Sequence, residues 1–286
     1  MAGLAWWIAV FLSPAMRGAT LGSLDPVLVA AFDVPLFVIG SGVAAFGVRA
    51  AAAVATGWTV LVAIALAAYA TVTTEAGWGV LIMLAAAGCS VIALLFVVRG
   101  RVPTELIVQG PFAFRPAADR RGTAGHVAAT MGQLILFWGF FLLVIPSFIG
   151  WLEQRWLVAL PFPSAAVVTG LVLLALASSL GIASAVTMSS TGNGTPLPSA
   201  MPNRLVIAGP YRWVRNPMAV AGISQGVAVG MVLGSWLVIA YAVLGSLLWN
   251  YAVRPHEEAD LESRFGAGFQ RYRDSVRCWV PRIGRD

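Results

Sequence analysis

The sequence predicts an all-α, polytopic membrane protein with about seven to eight transmembrane helices. Hydrophobic residues make up 59% of its 286 residues and charged residues only 10%, whereas about a quarter of the residues in soluble domains are charged. Apolar runs of about 20 residues, the length needed to cross about 30 Å of hydrocarbon, recur along the chain. These spans must be helical, because lipid offers backbone groups no hydrogen-bond partner.

The spans can be placed in order along the chain. Five apolar runs each predict one crossing: 26–48, 51–72, 77–98, 127–149 and 164–188. The run 217–253 is long enough for two crossings, with a break near Gly234-Ser235. The first sixteen residues add a short or tilted segment. We interpret it as retained, because it lacks the positively charged start of a cleaved signal peptide.

Loop charges predict the orientation of these spans. Arginines concentrate in the loop 99–121, the loop 189–216 and the tail from Arg254 onward. By the positive-inside rule these three regions are cytoplasmic. We therefore expect a protein of a bacterial inner membrane whose polar C-terminal region faces the cytoplasm. The arginines do not form one stripe, so the pattern does not indicate nucleic-acid binding.

Common soluble-enzyme and metal motifs are missing from the sequence. It has no P-loop, no Gly-rich dinucleotide fingerprint, no GxSxG elbow and no HExxH. With His126 and His256 as the only histidines, and two distant cysteines, no metal site is predicted. Asp33 is the acid inside the first long span. An acid at membrane depth suggests a function, although a position near the helix end would let it reach the interface.

The most polar stretch between spans is the loop 191–218. Its glycines and prolines exclude a continuous helix. Pro210 and Pro217 should set two turns, and Pro217 is well placed as the first residue of the next helix. Backbone amides at that helix start would then face the loop, where they could bind an anion or a carboxylate.

The tail 254–281 is the second polar element. Helical spacing relates Arg254, Glu258, Leu261, Phe265, Phe269 and Tyr272. Gly266 and Gly268 should divide the tail into two short helices. One interpretation is an amphipathic helix on the membrane surface, but its acid pair requires partners such as arginines or a bound cation. The loop 101–122 either covers this region or anchors at lipid headgroups.

Together the two elements resemble a known family. The stretches GTPLPSAMPNRLVIAGPYRWVRNPM and EEADLESRFGAGFQRYRDSVRCWVPR are similar to the isoprenylcysteine carboxyl methyltransferases, which are integral membrane enzymes. The resemblance covers about residues 165–286. It implies an all-helical core whose cytoplasmic C-terminal part binds S-adenosylmethionine. We accordingly expect N-terminal transmembrane helices of unknown role over 1–98, and a methyltransferase core over 99–286 with a cofactor cradle from 191–217 and 254–281.

The resemblance also implies individual site residues. Cofactor-binding candidates are Gly209, Pro210, Tyr211, Arg215, Asn216, Pro217, Glu257, Glu258, Leu261, Phe265 and Tyr272. Many relatives have histidine at the position of Asn216, so a hydrogen-bonding role is retained there without a titratable one. Relatives also often have tyrosine at the position of Phe269.

The chemistry of methyl transfer agrees with these residues. Glutamates can bind the ammonium group of S-adenosylmethionine, arginine or helix-start amides its carboxylate, and Tyr211, Trp213 or Phe265 its adenine. Arg254 is the catalytic candidate that would orient a carboxylate acceptor, which needs no base. For an amine or hydroxyl acceptor, Glu258 or His256 would be the base. The acceptor would be a lipophilic small molecule or a lipidated substrate that enters between helices.

Two other functions stay open at this point. Membrane sterol and steroid reductases have a related loop and use NADPH, for which Arg212, Arg215, Arg271 and Arg273 could bind the 2′-phosphate. A non-catalytic membrane protein with the same fold is the second alternative, although polar residues within the spans are few. The sequence does not predict the oligomeric state.

Overall fold

The computed structural model describes residues 2–110, 113–117, 122–196 and 200–281. Regular structure in these ranges is entirely helical, and one isolated parallel bridge joins Pro116 to Met201. The all-α prediction is confirmed. Arg120, Arg121 and loop residues 197–199, on which parts of the orientation and cradle predictions rest, lie outside the described residues.

The α-helices follow one another with short connections. They are α1 (Ala2–Leu12), α2 (Pro14–Leu21), α3 (Pro26–Asp33), α4 (Gly40–Ala44), α5 (Arg49–Thr73), α6 (Gly77–Arg99), α7 (Thr123–Trp138), α8 (Ile145–Arg155), α9 (Ala165–Gly192), α10 (Pro217–Leu233), α11 (Trp236–Leu248), α12 (Arg254–Phe265) and α13 (Ala267–Ser275). π-helical turns join α3 to α4, α7 to α8 and α11 to α12.

Several of these elements combine into membrane spans. Among the described residues, six are long and apolar enough to cross a membrane: Pro26–Ala44, Arg49–Thr73, Gly77–Arg99, Thr123–Arg155, Ala165–Gly192 and Trp236–Phe265. A seventh arises if α1 and α2, which meet at 117°, are one broken span. The upper count of eight is not reached, because α10 is apolar but has only 17 residues, fewer than the roughly 20 of a perpendicular crossing.

Each π-helical turn lies next to a proline. Pro35 falls within the turn Val34–Ile39, Pro146 follows the turn Gly139–Val144 and Pro255 follows the turn Trp249–Val253. Proline has no N–H for the bond to the carbonyl four residues earlier, and its ring crowds that carbonyl. The hydrogen-bond ladder therefore shifts locally to the wider π spacing.

One structural unit comprises residues 2–103 and 151–159. Asp33 is buried in it, with 3% exposure. Its two carboxylate oxygens accept hydrogen bonds from Trp7 Nε1 and Trp58 Nε1, both at 2.8 Å. Asp33 therefore lies inside the protein rather than at an interface, and it ties three helices together. Arg155 stabilises the end of α5 by donating to the carbonyls of Thr71 and Val72, at 2.6 and 2.9 Å.

The second unit comprises residues 104–150 and 160–281. Its α9 and α10 pack closely, because small residues occupy their interface. A Cβ added at Gly170 would lie 2.9 Å from the carbonyl oxygen of Ala228. Gln225 Nε2 donates to Ser178 Oγ at 3.0 Å across the same interface. The predicted break is confirmed: Gly234, with φ 61°, ends α10, and the Ser235 hydroxyl caps α11.

A glycine pair in α6 tests the packing of the first unit. A Cβ at Gly79 would lie 2.0 Å from the Thr20 carbonyl oxygen, whereas a Cβ at Gly88 would meet no atom within 4 Å. Gly79→Ala should lower the stability by about 1–3 kcal/mol or more through overpacking. Gly88→Ala should leave it unchanged or raise it by up to about 1 kcal/mol. Thermal unfolding in detergent measures both, and equal unfolding midpoints would contradict this packing.

Candidate functional site

A small cleft with charged and apolar walls lies in the second unit, where the loop after α9 meets α12 and α13. Its volume is about 70 Å³. Its walls carry side chains of both charges together with aromatic and aliphatic groups. They are Met188, Met201, Pro202, Arg204, Leu205, Val206, Tyr211, Arg215, Asn216, Glu257, Glu258, Leu261, Phe269, Tyr272 and Cys278.

The turn Gly209–Arg212 forms one wall and requires its glycine. Gly209 has φ +54°, and a Cβ there would lie 2.7 Å from Thr187 Oγ1 on α9. Glycine tolerates both the positive φ and the close approach. The turn buries Tyr211, and the Tyr272 hydroxyl donates to the Tyr211 carbonyl at 2.6 Å. α13 is thereby joined to the turn.

Arg215 connects three elements of the site. Its Nη1 donates to the carbonyls of Arg273 and Val276, at 2.8 and 3.2 Å, and its Nη2 donates to Glu258 Oε1 at 3.0 Å. The Arg215 backbone N–H also donates to the Arg277 carbonyl at 2.9 Å. A planar guanidinium can make these bonds at once because its five donors point in fixed directions.

The two adjacent glutamates of α12 have different partners. Glu258 pairs with Arg215, and Arg254 lies 3.9 Å from it, one turn earlier on the same helix. Glu257 Oε2 is 3.5 Å from Asn216 Nδ2. Glu258 of the acid pair therefore has an arginine partner, which agrees with the expectation that these acids need partners such as arginines.

Asn216 also begins α10. Its side-chain oxygen accepts from the Ala219 amide at 3.4 Å, and Pro217 is the first helical residue, as predicted. An asparagine at this N-cap position satisfies an amide that the helix itself leaves unpaired. The same side chain thus starts the helix and contacts the Glu257 carboxylate.

Three polar atoms at the site are buried without a hydrogen-bond partner in the described part of the chain. They are the Tyr211 hydroxyl, Arg215 Nε and Arg254 Nε. Buried polar atoms in native proteins are almost always paired. Burial, and secondarily the charge of Glu257, raises the pKa of Tyr211 well above its ordinary value. The hydroxyl therefore stays protonated, and all three groups can donate to an anionic or oxygen-bearing ligand.

The structure brings together much of the predicted site but not all of it. Tyr211, Arg215, Asn216, Glu257, Glu258, Leu261 and Tyr272 line the cleft. Gly209, Pro210 and Pro217 instead shape its turn and helix start. Phe265 and Arg254 are also outside the lining; Phe265 lies under the Arg264 guanidinium, 5.1 Å from its ring centre. The binding roles of all these residues stay predictions.

Residues 201–206 form another wall; they lie within the predicted cradle 191–217, but the sequence did not single out any of them as a site residue. Arg264 secures this wall by donating to the Pro202 carbonyl while pairing with Asp260 at 3.3 Å. Met201 exchanges backbone hydrogen bonds with the segment 115–117, its N–H donating to the Arg115 carbonyl at 2.8 Å. No local sequence pattern predicts this pairing, because it joins segments that are more than 80 residues apart in the chain.

The loop 101–122 also contacts α12. Thr104 Oγ1 and His256 Nε2 are 3.0 Å apart, in a hydrogen bond. The loop therefore packs beside the candidate site at Thr104 and supports its far wall at residues 115–117. These contacts agree with the first of the two predicted roles, in which the loop covers the polar region.

Arg215 offers a direct test of how the site is held together. Arg215→Lys keeps the charge but loses the planar, forked guanidinium. A single ammonium group cannot reach all three acceptors in the same way, so at least one of the three side-chain hydrogen bonds should be lost. We expect a loss of about 2 kcal/mol, which lowers the unfolding midpoint by about 4–8 °C in a chain of this size. Arg212→Lys is the matched control, since Arg212 is exposed. Similar midpoints for the two variants would contradict the role assigned to Arg215.

Comparison of the sequence with known proteins identifies a family that part of the chain resembles. The model of the phospholipid methyltransferase family matches residues 165–268, which include α9, α10, the turn, α11, α12 and the start of α13. A search of curated proteins gave no match. The family match confirms the resemblance found in the sequence: the region 165–268 matches a family of integral membrane methyltransferases that also contains the isoprenylcysteine carboxyl methyltransferases.

Proposed function

We propose that the protein transfers a methyl group from S-adenosylmethionine to a lipophilic acceptor, at the cytoplasmic face of a bacterial inner membrane. The observation that carries the proposal is the set of unpaired donors beside two glutamates. Tyr211, Arg215 and Arg254 each have a buried atom without a partner in the described residues. The site lies within the segment that matches a membrane methyltransferase family.

The residues present fit the charges of S-adenosylmethionine. When bound, this cofactor supplies an activated methyl group on a sulfonium centre. Glu257 and Glu258 would hold its ammonium group, while Arg215 Nε and the neutral Tyr211 hydroxyl would donate to its carboxylate. Trp213 is 64% exposed, whereas Phe269 is 2% exposed and lines the cleft. The adenine would therefore pack on Phe269 rather than on Trp213.

Cofactor binding must widen the cleft. Its volume of about 70 Å³ is below the roughly 300–1,000 Å³ of small-molecule sites. One wall is the loop 201–206, which is attached to α12 mainly through Arg264. Displacement of this loop away from α12 would open the cleft without disturbing the packing of α9 on α10.

Arg254 would serve the acceptor rather than the cofactor. It lies outside the lining of the cleft, and its Nε is buried and unpaired in the described residues. A carboxylate acceptor could bind there already ionised, and Arg254 would orient it toward the methyl group that the cofactor would supply. Glu258 is already paired with Arg215, and His256 bonds to Thr104. A carboxylate, which needs neither as a base, therefore fits this side of the site better than an amine.

Calorimetry on the detergent-purified protein tests cofactor binding. We expect saturable binding of S-adenosylmethionine and S-adenosylhomocysteine but not NADPH. Glu258→Gln should weaken the binding of S-adenosylmethionine by about tenfold or more, which corresponds to about 1.4 kcal/mol. Glu262→Gln, one turn further along α12 and outside the cleft, should change it less than about threefold. Binding of NADPH alone would instead indicate a reductase. If none of the three ligands bound, the result would indicate a non-catalytic protein.

The role of Arg254 can be separated from cofactor binding. In an assay that transfers tritiated methyl groups to a membrane lipid extract, Arg254→Lys should reduce the rate at least about tenfold, because a bidentate contact is lost. Its dissociation constant for S-adenosylhomocysteine should stay within about threefold of the wild type. Arg271→Lys, an exposed arginine of α13, is the control. Equal losses of rate and cofactor affinity would place Arg254 at the cofactor instead.

A further inference from the structure

A groove in the first structural unit lies outside the stretch 165–268 that matches the methyltransferase family. α4, α5 and α6 form this groove, and its volume is about 320 Å³, within the range of small-molecule sites. Most of the side chains that line it are small. Ala52, Ala55 and Thr56 of α5 form its floor and are at most 7% exposed.

The groove opens toward lipid. Its three helices belong to the candidate membrane spans Pro26–Ala44, Arg49–Thr73 and Gly77–Arg99. Ala45 and Ala93, which line it on either side of the buried floor, are exposed. In a bilayer such a concave surface is covered by a lipid chain or by another helix, because close packing stabilises contacts between apolar surfaces there.

A cation lies at one end of the groove. Arg49 is the first residue of α5, and it precedes Ala52 and Thr56 by three and seven residues, a spacing that puts all three on one face of the helix. Its exposed side chain has no ion pair or hydrogen bond to the described part of the chain. Thr56 Oγ1 donates to the Ser90 carbonyl at 3.1 Å. In the antiparallel pair of α5 and α6 this register puts Arg49 level with Val97, the last lining residue of α6.

The first unit offers Arg49 no acid at this end. Its acids are Asp25, Asp33, Glu75 and Glu153. Asp33 and Glu153 are buried. Glu75 lies in the connection between α5 and α6, and its carboxylate accepts from the amide of Ser23, two residues before Asp25, at 2.8 Å. Both remaining acids therefore lie at the far end of the 25-residue α5, about 36 Å along the helix from Arg49.

This charge distribution favours a lipid over a second copy of the chain. In a symmetric pair within one membrane the same surface of each chain would meet, at the same depth. Arg49 would then face arginine, and no acid of this unit would lie at that level to compensate. A phospholipid can instead place a chain in the groove and a phosphate at the depth of the headgroups, where an arginine at a helix end extends its guanidinium.

We propose that the groove binds an anionic glycerophospholipid, with one acyl chain against the floor of α5 and the phosphate at Arg49. From Arg49 to Thr56 the groove extends about 10 Å along α5, so it would hold the part of the chain nearest the headgroup. A headgroup with a net negative charge suits a lone arginine better than a zwitterionic one, which carries a cation of its own. This inference goes beyond the proposed function and does not depend on it.

Two lipids with the same chains test the headgroup preference. The full-length protein, freed of lipid in detergent, would be titrated with 1-palmitoyl-2-oleoyl phosphatidylglycerol and with the corresponding phosphatidylcholine, while its unfolding midpoint is followed. We expect phosphatidylglycerol to raise the midpoint saturably, phosphatidylcholine to bind at least about threefold more weakly, and inorganic phosphate to have no saturable effect. Equal affinities for the two lipids, no saturable effect of phosphatidylglycerol, or an equal effect of phosphate alone would overturn the proposal.

A charge variant assigns the preference to Arg49. Arg49→Gln should weaken phosphatidylglycerol binding about fivefold, the effect of one arginine near a headgroup, and should leave phosphatidylcholine binding within about twofold. Arg99→Gln is the matched control, because Arg99 is exposed at the same end of the hairpin but is about 180° around α6 from Ser90, which lines the groove. Equal losses of phosphatidylglycerol affinity in the two variants would contradict a site at Arg49.

A second variant fills the groove itself. Ala93 is exposed and lines the groove, whereas Ala85 is exposed on the same helix outside the lining. Ala93→Leu should weaken the binding of both lipids at least about threefold, and Ala85→Leu should leave it within about twofold. Unchanged lipid binding in Ala93→Leu would overturn the proposal. So would a dimer, measured by light scattering, that Ala93→Leu dissociates, since a second copy would then fill the groove.

Discussion

The candidate site depends on one guanidinium. Arg215 reaches two carbonyls near the end of α13 and the carboxylate of Glu258 on α12. These groups come from a turn and two short polar helices that have little apolar surface to bury together. A network of charge-assisted hydrogen bonds can therefore define their arrangement where a hydrophobic core cannot. The position of Glu258 follows from this arrangement, and the hydrogen bond from the Tyr272 hydroxyl to the Tyr211 carbonyl joins the turn to it.

The arrangement divides the site by chemistry. Charged groups of both signs line the cleft between the turn and α12, whereas a larger cleft beside α10 and α11 is mainly apolar with a few hydrogen-bonding groups. Arg254 is in the lining of neither cleft and directly follows the π-helical turn Trp249–Val253. A methyltransferase acting on lipids must bring a charged, water-soluble cofactor and a lipophilic acceptor together at one point, so a site with both charged and apolar walls suits the proposed function.

Much of the fold could be predicted because its signals are local. Apolar run length predicts the spans, Gly234 predicts the break after α10, and Pro217 predicts a helix start. The division of the tail was predicted at two glycines; only Gly266 separates helices, since Gly268 lies within α13. The sequence did not predict whether the first apolar segment crosses the membrane. In the structure a sharp turn divides it into α1 and α2, and neither helix is long enough to cross alone.

The unpredicted features are those that join distant parts of the chain. The hydrogen bonds of Asp33 to two tryptophans, the pairing of residues 115–117 with Met201 and the bond from Thr104 to His256 have no local pattern. Within the site, motif resemblance identified the side chains that carry charge. It did not identify Met201, Leu205 or Phe269 as cleft-lining residues, because apolar residues in a loop or on a short helix have no distinctive spacing.

The most direct test of the central claim is an experimental structure of the protein with S-adenosylhomocysteine at saturating concentration. Our account predicts ligand density in the cleft between Tyr211 and α12, with the carboxylate of the ligand at Arg215 and its ammonium at Glu257 and Glu258. It also predicts that the loop 201–206 moves away from α12. Density at another place, or an unoccupied and unchanged cleft at saturation, would contradict the assignment of this site.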